Sequence, residues 1–298
     1  MNTRIVSIGE AMVELAPAPQ AGLFQQAFAG DTLNTAWYLK QMQPERAVDY
    51  VTRVGADAIS DAMVAFLAEK NIGIDHVLRD QDRTVGLYMI SLQDGERSFS
   101  YWRGQSAARQ LATDASALHA ACAGAGIVYF SGITLGILDE AGRETLLQTM
   151  RDIRDQGTVV AFDPNLRPRL WPDNDTMCRA IMEAAAVSDI ALPSHDDEAT
   201  FFGDADPAAT LDRYAGAGAA TVIVKNGDGP ILHLHRGAQG TFTPAPVTRI
   251  VDTTAAGDSF NAGILAGFDP SADIVPHVEA ACSLAGKVIQ SRGALVEL

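Results

Sequence analysis

Short apolar runs that alternate with helix-like segments constrain the fold of this chain more than any other feature of its sequence. Each run ends at turn residues, as expected of strands buried in a parallel sheet. The runs lie at 5–8, 126–130, 158–162, 189–192 and 221–224, and the helix-like segments at 31–42, 60–70, 140–156, 177–186 and 206–215. This alternation indicates βαβ units, and it predicts an α/β fold with a long, mostly parallel sheet.

A second, smaller unit is predicted near the front of the chain, where strand-like segments follow one another without helices between them. These segments lie at 13–15, 84–92 and 97–103, and the turn Gln93-Asp94-Gly95-Glu96 joins the last two into an antiparallel pair. Because they interrupt the main pattern, we interpret them as a lid built from residues of about 12–30 and 76–105 within a single domain, 1–298. Lids over a site exclude water from it.

Charge and composition exclude several classes of partner. The 37 acidic and 22 basic side chains give a net charge of -15, which disfavours binding to nucleic acid or to an anionic membrane. Neither a signal-like N-terminus nor a membrane-length apolar run is apparent, so we expect a cytoplasmic location. The three cysteines are far apart, which predicts neither a disulfide framework nor a zinc site.

The segment 252–263, Asp-Thr-Thr-Ala-Ala-Gly-Asp-Ser-Phe-Asn-Ala-Gly, places small residues immediately before a helix-like run. Small residues at a helix N-terminus let an anion approach the backbone N–H groups, and the helix dipole favours its negative charge. A carboxylate at Asp258 then lies where the hydroxyl that accepts a phosphoryl group would be deprotonated. From spacing alone, Asp258 could equally be an ordinary acid in the first turn of a helix.

This segment resembles the second signature of the ribokinase-like (PfkB) carbohydrate kinases, Asp-Thr-x-Gly-Ala-Gly-Asp. The segment 30–36 is similar to the first signature of the family. The resemblance implies a ribokinase-like three-layer α/β/α sandwich with an inserted β-sheet lid. It also implies that Asp258 is the catalytic base and that Ala255, Ala256 and Gly257 form an anion hole. Ala255 replaces the usual Gly, which matters only if this residue needs a positive φ.

In the first signature, Gly30 allows a ligand to approach the backbone closely, and Asp31 and Asn34 bring hydrogen-bonding groups to a helix start. Sugar hydroxyls require such groups, so these three residues are candidates for binding the acceptor. Taken alone, Asp31 could instead be an N-terminal helix cap.

The resemblance implies ATP and Mg²⁺ as co-substrate and cofactor. Lys225 and Gly227 match the Lys-x-Gly segment that lies beside the nucleotide in the family. The metal-associated motif Asn-x-x-Glu should lie within 192–198, but this stretch has no Asn. Two alignments stay open: Ser194 with Asp197, or His195 with Glu198. Asp197 and Glu198 are candidates to hold the metal through water, and family analogy alone suggests a monovalent cation near Asp252 and Thr254.

Within the family, the sequence is most similar to kinases of 2-keto-3-deoxygluconate. The similarity includes the segments 9–14, 30–35, 101–103 and 162–171 and also Tyr88. It implies transfer of phosphate from ATP to the terminal primary hydroxyl of that acid. Arg103 and Arg167 are candidates to bind its carboxylate in bidentate fashion, with Tyr88 as a hydroxyl donor. Two of these residues have a structural alternative: packing within the lid for Tyr88, and bridging of loop carbonyls for Arg167.

Three other functions are alternatives to this one. A fructokinase or another sugar kinase of the family shares part of the pattern. A non-catalytic nucleotide- or sugar-binding protein is disfavoured by the retention of Asp258. A dinucleotide-dependent oxidoreductase would need a G-x-G-x-x-G turn after the first strand, and 9–14 lacks that spacing. An apolar face on the lid would also allow a homo-oligomer to form through it.

Overall fold

The computed structural model describes residues 4–20, 22–93 and 96–298. Its strands are β1 (Ile5–Ile8), β2 (Met12–Pro17), β3 (Phe24–Ala29), β4 (Val48–Val54), β5 (Val77–Arg79), β6 (Gly86–Gln93), β7 (Glu96–Trp102), β8 (Ile127–Ser131), β9 (Val159–Asp163), β10 (Ile190–Ala191), β11 (Thr221–Val224), β12 (Ile231–His235) and β13 (Ala238–Phe242). Its α-helices are α1 (Asp31–Met42), α2 (Ala58–Glu69), α3 (Ala115–Cys122), α4 (Gly132–Ile137), α5 (Glu140–Asp155), α6 (Asn174–Ala186), α7 (His195–Phe202), α8 (Pro207–Ala217), α9 (Ala256–Gly267) and α10 (Val275–Val288).

The large sheet has nine strands in the order β13-β12-β11-β10-β9-β8-β1-β4-β5. All neighbouring strands from β5 to β11 pair in parallel, whereas β12 and β13 add an antiparallel edge. The predicted α/β class with a mostly parallel sheet is therefore confirmed. The strands β4, β5, β12 and β13, which the sequence patterns did not single out, complete the sheet.

Helices cover both faces of this sheet. Along β8, Val128 and Phe130 belong to one buried apolar cluster and Ile127 and Tyr129 to another, because successive side chains of a strand point to opposite faces. The first cluster includes residues of α3, α4, α5, α6 and α8, and the second includes residues of α1, α2, α9 and α10. The result is the three-layer sandwich that the sequence predicted.

The small sheet has the order β3-β2-β6-β7. Its outer pairs are antiparallel as expected, but β2 and β6 pair in parallel. These two strands are not joined by a hairpin, since β3, α1, β4, α2 and β5 lie between them in the chain. Strand β5 pairs with β4 in the large sheet, so the second segment of the small sheet begins at Gly86 rather than near residue 76. The centre of the predicted 93–96 turn, Asp94 and Gly95, lies outside the described residues. That the small sheet acts as a lid stays a prediction.

Two further observations concern ions and membranes. Among the described residues, no group of three or more His, Cys, Asp or Glu side chains is arranged to hold a metal ion. The search for a helix with the length and apolarity of a membrane span found none in the described part of the chain.

Candidate active site

A cleft of about 1550 Å³ lies between the small sheet and the carboxyl ends of the parallel strands. Pockets for one small molecule usually measure roughly 300–1,000 Å³, so this cleft can hold two molecules side by side. Among the residues predicted for the site, His195, Glu198 and Asp252 do not line it. The others do: Gly30, Asp31, Asn34, Tyr88, Arg103, Arg167, Ser194, Asp197, Lys225, Gly227, Thr254, Ala255, Ala256, Gly257 and Asp258. The two signature segments, more than 200 residues apart in the chain, thus meet in one cavity.

Asp258 lies in the first turn of α9, where α9 packs against α1. The side-chain amide of Asn34 donates to its Oδ2 oxygen at 2.8 Å, and the hydroxyl of Thr35 donates to its main-chain carbonyl at 3.2 Å. The carboxylate is only partly exposed and faces the cleft. Asn34 therefore orients the predicted base directly.

Burial raises the pKa of Asp258 to about 8, and the negative charges of Asp31 and Asp163 add to this effect. The hydrogen bond from Asn34 and the charge of Lys225 act in the opposite direction. A base with a pKa near the working pH suits proton transfer, because it can both accept the proton and release it. These surroundings differ from those of an ordinary solvent-exposed acid in the first turn of a helix, and they agree with the predicted role of Asp258.

The small residues before Asp258 form a tight turn. Ala255 has φ 60°, which lies in the left-handed region. Because an L side chain is strained in this region, the replacement of the usual Gly by Ala does matter here. The N–H of Ala256 donates to the carbonyl of Thr253 at 3.2 Å and is thus already engaged, which the sequence did not predict. Within the described residues, the N–H groups of Ala255 and Gly257 have no backbone acceptor, and they are the ones available to an anion.

The side chain of Asp31 lines the cleft and is not the cap of α1. The capping position is Gly30, and it makes no side-chain capping bond. Asp31 instead accepts a hydrogen bond from the amide of Asn165 at 2.9 Å. Burial raises the pKa of Asp31, while a hydrogen bond from Ser131 and the charge of Arg103 lower it. The acceptor-binding interpretation of Asp31 fits this placement.

Lys225 directly follows β11, and its ammonium group lies deep in the cleft. It contacts both oxygens of Asp163 at 3.2 Å and Asn261 Oδ1 at 3.3 Å, while the Asn261 amide donates to Asp163 at 2.6 Å. Sequence reasoning missed the role of Asp163 and Asn261 in this network. Asp163 ends a parallel strand, where ligand sites of α/β sheets gather, and Asn261 lies one turn after Asp258. These two signals could have identified them.

The loop after Lys225 lines the part of the cleft that is predicted to bind the nucleotide. Gly227 has φ 56° and nothing within 4 Å of a built Cβ, so this glycine is required by the backbone rather than by close packing. Lys225 also forms an isolated parallel bridge with Ser194, which brings the segment after β10 to the same edge of the cleft.

Tyr88 on β6 and Arg103 just after β7 both line the cleft, and each contacts a buried carboxylate. Tyr88 donates its hydroxyl proton to Glu14, so it can offer an oxygen lone pair to a ligand rather than the predicted donor. Arg103 pairs with Glu10, with Nε to Oε2 at 2.7 Å. The charge of Arg103 is therefore already partly balanced.

Arg167 is half-exposed at the cleft rim. Its Nη1 donates to the carbonyl of Leu166 at 2.7 Å and lies 3.5 Å from Asp197 Oδ2, so it takes part in the loop-bridging alternative as well as facing the cleft. Two further arginines, Arg109 and Arg169, line the cleft and make no ion pair with the described part of the chain. The sequence reasoning that selected Arg103 overlooked Arg109, six residues later in the same segment.

The structure places the residues of the two alignments of the metal-associated motif differently. Ser194 and Asp197 both line the cleft. His195 contacts Thr210, and Glu198 is fully buried, with one oxygen accepting from Arg213 at 2.8 Å and the other from Tyr214 at 2.9 Å. Glu198 is therefore not placed to approach a metal in the cleft, contrary to expectation, because α7 turns it toward α8. Burial raises the pKa of Glu198 to about 7.

The proposed monovalent-cation residues are engaged in a turn. The Oδ1 oxygen of Asp252 accepts from the Thr254 hydroxyl at 2.7 Å, and the Oδ2 oxygen accepts from the N–H of Gly293 at 2.7 Å. These bonds hold the start of the second signature against the C-terminal segment.

Comparison with known proteins places these features in a family. Residues 2–297 match the pfkB family carbohydrate kinases. The 2-dehydro-3-deoxygluconokinase of Dickeya dadantii is 38% identical, over 100% of this chain and 98% of its own length. The enzyme of the same name from Haemophilus influenzae is 35% identical, over 99% and 96%. Curated fructokinases also match, at 25–28% identity. Among solved structures, a fructokinase with bound ATP from Xylella fastidiosa superposes with a TM-score of 0.84 at 24% identity, covering 99% of this chain and 94% of that one.

Proposed function

Because the chain belongs to the pfkB family of carbohydrate kinases, we propose that it transfers the γ-phosphoryl group of ATP to 2-keto-3-deoxygluconate. The acceptor is the terminal primary hydroxyl, and the product is 2-keto-3-deoxy-6-phosphogluconate. The observation that carries this proposal is the Asp258 carboxylate, held by Asn34 at a helix start inside a cleft with room for two ligands. We place this reaction in the cytoplasm, where ATP is available.

Different residues of the cleft have different roles in the proposed reaction. Asp258 takes the proton of the attacking hydroxyl, which makes the oxygen a better nucleophile as the bond to phosphorus forms. The N–H groups of Ala255 and Gly257 and the dipole of α9 stabilise negative charge on the phosphoryl oxygens. Lys225, Gly227 and Ser194 line the part of the cleft that we assign to the nucleotide.

The oxygen donors at the cleft suit a magnesium ion held chiefly by nucleotide phosphates. Asp197 and Ser194 supply a carboxylate and a hydroxyl, and no cluster of three acidic side chains in the described residues forms a protein cage. Asp197 would hold the ion through water, and the ion would neutralise phosphate charge. A monovalent cation near Asp252 and Thr254 remains a proposal from family analogy.

The choice of a sugar acid over fructose is supported by two observations. The 2-dehydro-3-deoxygluconokinases match at higher identity than the fructokinases do. Four arginines also line the cleft, namely Arg103, Arg109, Arg167 and Arg169, and an acceptor with a carboxylate benefits from such cations. Fructose carries no charge that would use them.

Coupled ADP release with Mg·ATP and separate acceptors tests the proposal. We expect turnover with 2-keto-3-deoxygluconate, little with fructose, ribose or gluconate, and almost none in Asp258→Asn. A preference for fructose would still support a sugar kinase, but it would reject the proposal that the arginines of the cleft select an acceptor with a carboxylate. No turnover with any acceptor would favour a binding protein.

We also propose that the small sheet pairs with that of a second copy. Leu23, Phe24, Tyr101 and Trp102, on or beside its edge strands β3 and β7, are 47–57% exposed. Sedimentation at micromolar concentration should show a dimer, and a monomer alone would remove this proposal.

A further inference from the structure

Glu10 is a buried carboxylate that the proposed chemistry leaves without a role. It lies between β1 and β2 and is 1% exposed. Its Oε2 oxygen accepts from Arg103 Nε at 2.7 Å and also contacts Nη2 of the same guanidinium. Arg103 itself is 9% exposed, and it lines the cleft. Glu10 thus binds one edge of the guanidinium of a residue that lines the cleft.

The surrounding backbone leaves this pair little freedom. A Cβ built on Gly86 would lie 2.7 Å from Glu10 Oε1 and 3.3 Å from Arg103 Cβ, and one built on Gly30 would collide with the carbonyl oxygen of Glu10. Glu10 Oε1 is buried and has no hydrogen-bond partner in the described part of the chain. Burying a carboxylate with one unpaired oxygen is costly, and the bond between its other oxygen and Arg103 offsets this cost.

Arg103 and Asp31 line the same cleft, and Asp31 is a residue that we assign to the acceptor. Burial raises the pKa of the Asp31 carboxyl, and the charge of Arg103 acts against that rise. An unrestrained arginine loses about 2 kcal/mol of rotamer entropy when a ligand fixes it. An arginine already fixed by a buried carboxylate loses much less, so its outer N–H groups bind a ligand carboxylate more tightly.

We propose that Glu10 is a positioning residue for acceptor specificity: it fixes Arg103 in the orientation that binds the carboxylate of the sugar acid. This inference rests on the proposed function. In this proposal Glu10 contacts neither the substrate nor the nucleotide, and it acts only through Arg103.

A purely structural role makes different predictions. Glu10 and Arg103 lie at two points where the small sheet joins the large one, just before β2 and just after β7. If the pair only fastened the two sheets together, its loss would lower stability and weaken the binding of every acceptor and of ATP alike. A positioning role affects the charged acceptor selectively.

A double-mutant cycle with Glu10→Gln, Arg103→Gln and the double variant separates the two roles. The double variant replaces both charges by neutral groups of similar shape, so it keeps the fold testable if a single variant leaves a buried charge unpaired. The two acceptors are 2-keto-3-deoxygluconate and its uncharged methyl ester. Glu69→Gln, on the exposed face of α2, is the control for loss of an acidic side chain.

We expect Glu10→Gln to raise KM for the acid about tenfold, with KM for the ester and for ATP changed less than about twofold. In the Arg103→Gln background, the same change should have no further effect on the acid. Equal effects on acid and ester, or an undiminished effect of Glu10→Gln without Arg103, would overturn the inference. Failure of the wild-type enzyme to use the acid would instead reject the proposed function, and with it the acceptor role of Arg103.

Discussion

The side-chain amide of Asn34 donates to the carboxylate of Asp258 at 2.8 Å, and this bond joins α1 to α9 at the centre of the cleft. It stabilises the ionised form of an acid whose pKa burial raises to about 8. The ionised form is the one that can accept a proton. The pH dependence of the reaction therefore depends on this pair.

We expect kcat/KM to rise with pH up to about 8 and then level off, because only the ionised Asp258 accepts the hydroxyl proton. Asp258→Asn should lower kcat about 10²–10⁴-fold, the usual contribution of a general base. The measurement is a pH series of coupled ADP release. A profile that is flat from pH 6 to 9 in the wild-type enzyme would contradict the assignment.

The same raised pKa predicts a stability effect of opposite sign. Burial raises the pKa of Asp258 from its ordinary 3.8 to about 8 in the folded protein. The contribution of this group to stability is fully present below pH 3.8 and is lost as the pH rises through about 8. Asp258→Asn removes this loss, so its Tm should exceed that of the wild-type protein by about 2 °C or more at pH 8. The difference should shrink toward pH 5 in thermal melts.

Asn34→Ala should shift the acid limb of kcat/KM to higher pH. The variant loses the hydrogen bond that lowers the pKa of Asp258, so the base is less ionised at a given pH. The shift is measured from complete pH profiles of both proteins. Asn174→Ala, on an exposed position of α6, is the matched control and should leave the profile unchanged. An unshifted profile in Asn34→Ala would show that the bond does not tune the base.

Ala255→Gly should stabilise the protein. Ala255 has φ 60°, and an L side chain in this region costs about 1–2 kcal/mol that Gly avoids, less the extra entropy of Gly in the unfolded chain. We expect a net gain of up to about 1 kcal/mol in the free energy of unfolding, measured by urea denaturation. Ala208→Gly, inside α8, should have the opposite sign. A loss of stability in Ala255→Gly would mean that the alanine methyl group packs favourably.

The sequence predicted those parts of the fold and site that depend on local pattern. Apolar runs marked β1 and β11 at their observed bounds, and α1 likewise, because burial and helix spacing are local properties. The partner of a polar side chain is not local. Glu10 meets Arg103 across 93 residues, and no spacing rule connects them. The sequence predicts Tyr88 as a donor to a ligand for the same reason, since its contact with Glu14 joins residues 74 positions apart.

The metal-associated motif shows a second kind of limit. Consecutive helical residues point about 100° apart, so either Asp197 or Glu198 can face a cleft, and the choice depends on how α7 is rotated. That rotation is set by tertiary contacts. The guanidinium carbon of Arg213 lies 3.7 Å from the centre of the Phe202 ring, and its Nη2 lies 2.8 Å from Glu198 Oε2. These contacts hold Glu198 on the buried side of α7.

Asp197→Asn and Glu198→Gln should therefore have different consequences. Asp197 lines the cleft, so its loss should raise the Mg²⁺ concentration needed for half-maximal activity, about threefold to tenfold for a contact through water. Glu198→Gln should leave that concentration unchanged. Because burial raises the pKa of Glu198 to about 7, the neutral Gln should keep or slightly raise the free energy of unfolding at pH 8, where the glutamate would be ionised. Magnesium titrations of activity and urea denaturation of both variants measure these effects. If Glu198→Gln instead shifted the magnesium dependence and Asp197→Asn did not, the alignment of His195 with Glu198 would be the correct one.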